Sequence, residues 1–263
     1  MDAFRTPLVE CFERGDVPRD VRLVAACGGL PLRVPEQLSL LMLLAADADA
    51  EVAAAAETTI SRLPAGPLAD YLASPEVPER VRQFFAAHPG RGSGELRLDG
   101  PAGDEGDAAA EAPPAPAADG AAPDQRGTVY RLSALTVAGR IKAAIQGSRE
   151  ERTILVRDPN RLVAAAVLSS PKLTESDVES FARMTSVSED VLRAIGTHRA
   201  WTRNYTIVSS LTRNAKTPIP VSMALLTRLT ERDVKLLSTD RNVPEPVRLT
   251  ARKMYARNVS RRQ

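Results

Sequence analysis

The sequence predicts an all-α fold, an α-solenoid of stacked helix pairs arranged as two blocks joined by a disordered linker. Three observations predict it. The pattern Val-Pro-x-x-Val-Arg occurs three times, as Val17–Arg22, Val77–Arg82 and Val243–Arg248. Apolar residues return at helical spacing on both sides of its second valine. Finally, aromatics make up only 4% of the chain, which suits thin helical layers better than one large core. A motif that recurs with its flanking periodicity marks a repeated structural unit.

Proline is tolerated in the first turn of a helix, because its missing N–H has no partner there in any case. The motif is therefore a break followed by a sharp helix start, with the second valine as the first inward-facing residue. Equivalent valines are Val21, Val52, Val81, Val163, Val191, Val221 and Val247. A proline stands three residues before four of them (Pro18, Pro78, Pro218, Pro244), while Asn160 and Ser188, both helix-start types, fill that slot elsewhere. Ten and thirteen residues earlier lie the pairs Leu8 with Cys11, Leu68 with Tyr71, Val178 with Phe181, Val208 with Leu211, and Val234 with Leu237. Three or four residues later come Val24 and Ala25, Ala55 and Ala56, Phe84 and Phe85, Ala194 and Ile195, Ala224 and Leu225. Each unit reads as two short helices with one apolar side apiece, so neighbours must stack to bury them.

Residues 1–90 form an acidic helical repeat domain, with 8 Lys+Arg against 13 Asp+Glu. Within it, Asp47, Asp49 and Glu51 lead into Val52 as an acidic first turn. Residues 91–127 change character: 7 Gly, 5 Pro and 10 Ala without periodicity. Such a segment buries too little apolar surface to offset its ordering entropy, and reads as a disordered linker spanning about 35 Å as a flexible coil. Residues 128–263 form a basic helical repeat domain, with 24 Lys+Arg against 12 Asp+Glu. Its first helix carries Leu135, Ala138, Ile141 and Ile145, with a cap expected near Ser133. Capping boxes are expected at Thr174 with Asp177 and at Ser186 with Glu189.

Several function classes lose support. Two cysteines give no disulfide framework or metal cluster, and both Cys11 and Cys27 are expected as small buried hydrophobes. His88 and His198, each seven residues after a valine anchor, are expected at helix ends, where an imidazole suits the negative end of the dipole. They have no evident nucleophile beside them. No phosphate-binding Gly-rich loop and no metalloprotease or nucleophile-elbow motif is present; Gly90-Arg91-Gly92-Ser93-Gly94 follows no strand. No signal peptide is expected in Met1–Gly15, and the apolar run Leu38–Ala46 is too short to cross a bilayer. A cytoplasmic protein without enzymatic activity or cofactor is expected.

The stretch Asn214-Ala215-Lys216-Thr217-Pro218, followed by Leu225-Leu226, Leu229, Asp233, Leu236-Leu237, Asn242-Val243-Pro244 and Val247-Arg248, resembles leucine-rich repeat variant proteins. More broadly it resembles HEAT-like α-solenoids. The resemblance covers residues 150–257, and 5–89 more loosely. It implies a right-handed stack, and such families serve mostly as binding scaffolds. The iron–sulfur cluster of some members needs a cysteine cluster, so that cofactor is not expected here.

The charge split is the main functional signal. The segment His198–Tyr205 combines the sole Trp with arginines. Arg199, Trp201, Arg203, Asn204 and Tyr205 are interface types, while the competing reading has Trp201 and Tyr205 filling the junction between helix pairs. Arg157, Arg161, Arg248 and Arg252 add basic surface, and Lys253, Arg257, Arg261 and Arg262 extend it. The expected partner is an acidic protein. Non-specific nucleic-acid binding by residues 128–263 is the alternative, and an intramolecular contact between the acidic and basic halves is a third. The basic positions keep no fixed offset from the anchors, which counts against a one-base-per-repeat reader. No membrane partner is expected.

Overall fold

The computed structural model describes residues 6–92 and 125–260. Residues 93–124, most of the expected linker, and Arg261 and Arg262 lie outside them. The described residues are helical, with one isolated bridge between Pro64 and Gly92. They fall into two compact bodies, Phe12–Ala143 on one hand and Met1–Cys11 with Ala144–Gln263 on the other.

The first body is built from α2 (Arg19–Ala26), α3 (Val34–Leu44), α4 (Ala50–Arg62), α5 (Ala65–Leu72), α6 (Glu79–Ala87) and α7 (Gln125–Ser133). α1 (Pro7–Glu13) and α8 (Val137–Gln146) cross the boundary between the bodies. Pro18 and Pro78 are the N-cap residues of α2 and α6, while Asp49 caps α4 through its carboxylate. α2, α3 and α4 pack on one another and α6 packs on α3. Arg22 grips both Asp47 oxygens, at 2.6 and 2.7 Å, across α2 and the α4 approach. Arg19 pairs with Asp49 and Glu51, and the hydrogen bond from Arg19 is the main cause holding Asp49 below the usual carboxylate range. Gly90 and Gly92 are needed for packing. A Cβ would lie 2.3 Å from the Leu63 carbonyl oxygen and 1.9 Å from that of Arg62, and Arg91 and Gly92 donate their N–H groups to Ser61 and Leu63.

The second body continues as α9 (Arg149–Leu155), α10 (Arg161–Leu168), α11 (Glu175–Arg183), α12 (Glu189–Thr197), a 3₁₀ turn η1 (Trp201–Arg203), α13 (Tyr205–Arg213), α14 (Ile219–Leu226), α15 (Glu231–Thr239) and α16 (Glu245–Ser260). α9 packs on α11 and α11 on α13; α10 packs on α12, α12 on α14 and α14 on α16. Within each helix pair, α9 with α10, α11 with α12, α13 with α14 and α15 with α16, the two helices are also in contact. Helices α11, α13 and α15 have nine residues each. Each leads through a short turn of the same form into the next helix. Their N-caps are Thr174, Asn204 and Thr230, all side-chain acceptors.

Six of the seven anchor valines are fully buried. The residue four further on is buried in all seven units (Ala25, Ala56, Phe85, Val167, Ile195, Leu225, Ala251), whereas the residue at plus three is buried only in α10 (Ala166). On a helix advancing 100° per residue, plus four lies closer to the anchor direction than plus three. Val221 is the exception: it is half-buried, and Ser222 takes the core position. The cause is Gly196 of α12, whose missing Cβ opens a notch that Val221 fills; a Cβ on Gly196 would lie 2.3 Å from Val221 Cγ1. The spacing of 30 residues between α12 and α14, against 26 between α14 and α16, also has a simple origin. One extra residue lies in α12, and three more lie in its connector, which η1 occupies.

Other expectations need correction. Ser133 ends α7, and the cap of α8 is Thr136, whose hydroxyl accepts from the Gly139 N–H at 3.2 Å. α7 begins at Gln125, inside the range assigned to the linker. The box at Thr174 with Asp177 is present, but Ser186 does not cap α12. Ser188 is its N-cap, without a capping hydrogen bond. Cys27 is exposed at the end of α2 rather than in the core, since the chain turns away there at Gly28 with φ +72°. Cys11 is half-buried. No helix among the described residues is long and apolar enough to cross a membrane.

Candidate functional site

The connector between α12 and α13 grows out of local rules. α12 ends at its C-cap His198, and the chain closes one 3₁₀ turn, with the Thr202 N–H and hydroxyl both bonded to the His198 carbonyl at 3.0 Å. Thr202 is buried, which leaves its neighbours in sequence facing outwards. The His198 ring stacks on the Trp201 indole at 3.8 Å and accepts the Trp201 N–H at Nδ1. His88, in the equivalent slot of α6, instead bonds the Phe84 carbonyl and stacks on the Phe84 ring at 4.4 Å. Both imidazoles are thus helix-end fixtures.

Of the residues singled out from sequence, Arg199 and Arg203 are exposed on this connector, and neither guanidinium has a hydrogen bond or ion pair among the described residues. The Arg228 guanidinium, from the connector after α14, donates to the Thr202 carbonyl at 2.5 Å and so lies against the same turn. Trp201 is half-buried. Asn204 and Tyr205 turn out to be junction residues. Asn204 caps α13 and donates to Glu175 of α11 at 3.0 Å. The Tyr205 hydroxyl bonds Thr230 at 3.1 Å and donates closely to Asp233. That hydroxyl is the main cause holding the Asp233 carboxyl below the usual range, with Thr230 and Arg213 adding to it against the effect of burial.

The outlying arginines do not gather there. Arg157 folds onto its own Thr153 carbonyl, Arg161 pairs with Asp190 at 2.6 Å, and Arg252 donates to the Ser238 carbonyl at 2.9 Å. Arg248 is half-buried on α16, its Nε without a hydrogen-bond partner.

Five carboxylates of this body are matched internally by arginines. Glu179, Glu189, Asp190 and Asp233 pair with Arg183, Arg193, Arg161 and Arg213. Asp177, 2% exposed, takes Arg149 at 2.6 Å and the buried Arg152 at 3.3 Å. Burial pushes the Asp177 carboxyl up, but hydrogen bonds from Thr174 and Arg152, with the Arg149 charge, outweigh it and hold it below the usual range. Lys216, Arg232 and Arg241 join Arg199 and Arg203 as exposed cations with no side-chain partner among the described residues. The surplus positive charge is therefore free at the surface.

A second feature was not singled out from sequence. An open groove of about 970 Å³ runs along α12 by Ser188, Glu189, Arg193 and Thr197, walled by Lys216–Val221 and Pro244. Ile219 in its wall is 42% exposed. A signal for it did exist. The first helical residue after the break is charged in five of the six other units (Arg19, Glu79, Arg161, Glu189, Glu245) and is Ala50 in the sixth, so a large apolar residue stands there only at Ile219. No group of His, Cys, Asp and Glu among the described residues is arranged to hold a metal ion.

No family model matches the chain, and the comparison with curated proteins and with solved structures finds no similar one.

Proposed function

We propose that this chain is a helical-repeat scaffold, an α-solenoid in which successive helix pairs stack, and that its basic C-terminal block binds an acidic partner protein. The observation carrying this reading is the asymmetry of charge pairing. Five carboxylates of the second body (Asp177, Glu179, Glu189, Asp190 and Asp233) are held in ion pairs within it, while Arg199 and Arg203 stand exposed and unpaired on a turn that buried Thr202 and the Arg228 bond hold in place. A preformed cationic surface costs little ordering on binding, and complementary charge chiefly sets specificity and association rate.

The protein reading is favoured over nucleic acid by the aromatics. Base stacking needs free ring faces, yet one face of Trp201 is covered by His198, and Tyr205 is tied to Thr230 and Asp233. The test is polarisation titration of the full chain with fluorescein-labelled polyglutamate, with an oligothymidylate of equal charge alongside. Binding of polyglutamate that weakens about tenfold (~1.4 kcal/mol) in Arg199→Ala/Arg203→Ala supports the reading. Tighter binding of the oligothymidylate with a steep salt slope would replace it by nucleic-acid binding. No binding of either polymer at low salt would remove both.

A further inference from the structure

We infer that the groove along α12 seats a short extended segment of an acidic partner, with an apolar side chain lodged against Ile219 and carboxylates at Lys216 and Arg199; this rests on the acidic-partner reading and names where the partner would enter. Two observations lead there. The groove wall carries a large apolar residue, Ile219, at a slot that is charged in five of the six other units, and Pro218, Pro220 and Pro244 surround it with further apolar surface. The charge is also one-sided: Glu189 and Arg193 neutralise each other, leaving Lys216 as the unpaired charge of the groove.

The chemistry narrows the mode of binding. Pro218 and Pro220 have no N–H to offer, so addition of a β-strand along this wall is excluded, and side-chain insertion is left. The nine residues of α12 run for about 14 Å, the length of about four extended residues. Thr197 closes one end of the groove lining, and Arg199 follows two residues later. Lys216 lies on the wall formed by the turn before α14. An apolar residue flanked by Asp or Glu on either side is the pattern this spacing fits.

The test is panning of a randomised peptide display library over the full-length chain, followed by polarisation titration of enriched peptides. The expected motif is one apolar residue between acidic ones, with affinity falling about tenfold in Ile219→Asp and again in Lys216→Glu. Ile219 and Lys216 are both exposed, so neither change strains the core, and Ile219→Ser serves as a second variant if the first alters the helical signal. Absence of enrichment, peptides without the acidic–apolar pattern, or peptides indifferent to both groove changes would each overturn the proposal. If polyglutamate still depends on Arg199 and Arg203 in any of these cases, the groove fails while the acidic-partner reading stands.

Discussion

Asn214 offers the sharpest perturbation of the stacking. Its side chain is 5% exposed and spans two successive helix pairs. The amide nitrogen donates to the carbonyls of Ala182 and Met184 at the end of α11, at 2.8 and 3.0 Å. The amide oxygen accepts the N–H of Lys216 at 3.0 Å, closing the turn into α14. Asn214→Ala leaves two carbonyls and one N–H without these partners, and adds a small cavity. At about 1 kcal/mol for each bond, and more wherever water cannot reach the orphaned group, the expected loss is about 2–4 kcal/mol. Urea denaturation followed by circular dichroism reads it as a lower midpoint with unchanged slope. Asn214→Asp keeps the shape and the acceptor but cannot donate when ionised. It should cost at least as much at neutral pH and recover partly in acid, where a protonated carboxyl regains one donor. A loss below about 0.5 kcal/mol for Asn214→Ala, the range of an ordinary surface change, would refute the reasoning.

Other outcomes follow from the same packing. Gly196→Ala places a Cβ at 2.3 Å from a branched side chain with little χ1 freedom. The overpacking of about 1–3 kcal/mol should exceed the helix-propensity gain of about 1 kcal/mol, and Val221→Ala in the same chain should restore stability in a thermal melt. Ser222 Oγ is buried without a hydrogen-bond partner, so Ser222→Ala is expected to be neutral or stabilising by about 1 kcal/mol in the same melt. The lowered Asp177 contributes stability that is present above the unfolded carboxylate value of about pH 4, and is lost as pH falls through its lower folded value. Asp177→Asn, which strands the buried Arg152, should cost about 3 kcal/mol at pH 7 and flatten the acid limb of the stability profile.

Much of the fold is legible in the residues because its rules are local. Prolines, acidic first turns and three- or four-residue apolar spacing fix helix starts and inner faces, and six anchors lie where the pattern puts them. The misses have tertiary or near-equivalent causes. Val221 is displaced by a notch on another helix, which periodicity within α14 cannot show. Ser186 and Ser188 are both capping types two residues apart, and only the turn geometry selects Ser188. For the candidate surface, Arg199 and Arg203 could be named from composition alone. Asn204 and Tyr205 could not be separated from them, because their partners Glu175, Thr230 and Asp233 lie 25–29 residues away. The groove's mark in the sequence is Ile219, at a position that is charged in five of the six other units.

Excision of one helix pair tests the proposed layered architecture most directly. Residues 205–230, which contain α13 and α14, match the 26-residue spacing between α13 and α15. Their removal joins Asn204 to Glu231 in register, with Asn204 as the new N-cap and Asp240 in the place of Asn214. Carried out with Asp240→Asn, which restores the amide donor to the Ala182 and Met184 carbonyls, the deletion should leave a chain that unfolds cooperatively in urea. Its slope should be modestly smaller, and the helical signal should fall by those two helices alone. Loss of the cooperative transition, or collapse to a state without fixed tertiary packing, would contradict a structure of interchangeable, stacked helix pairs.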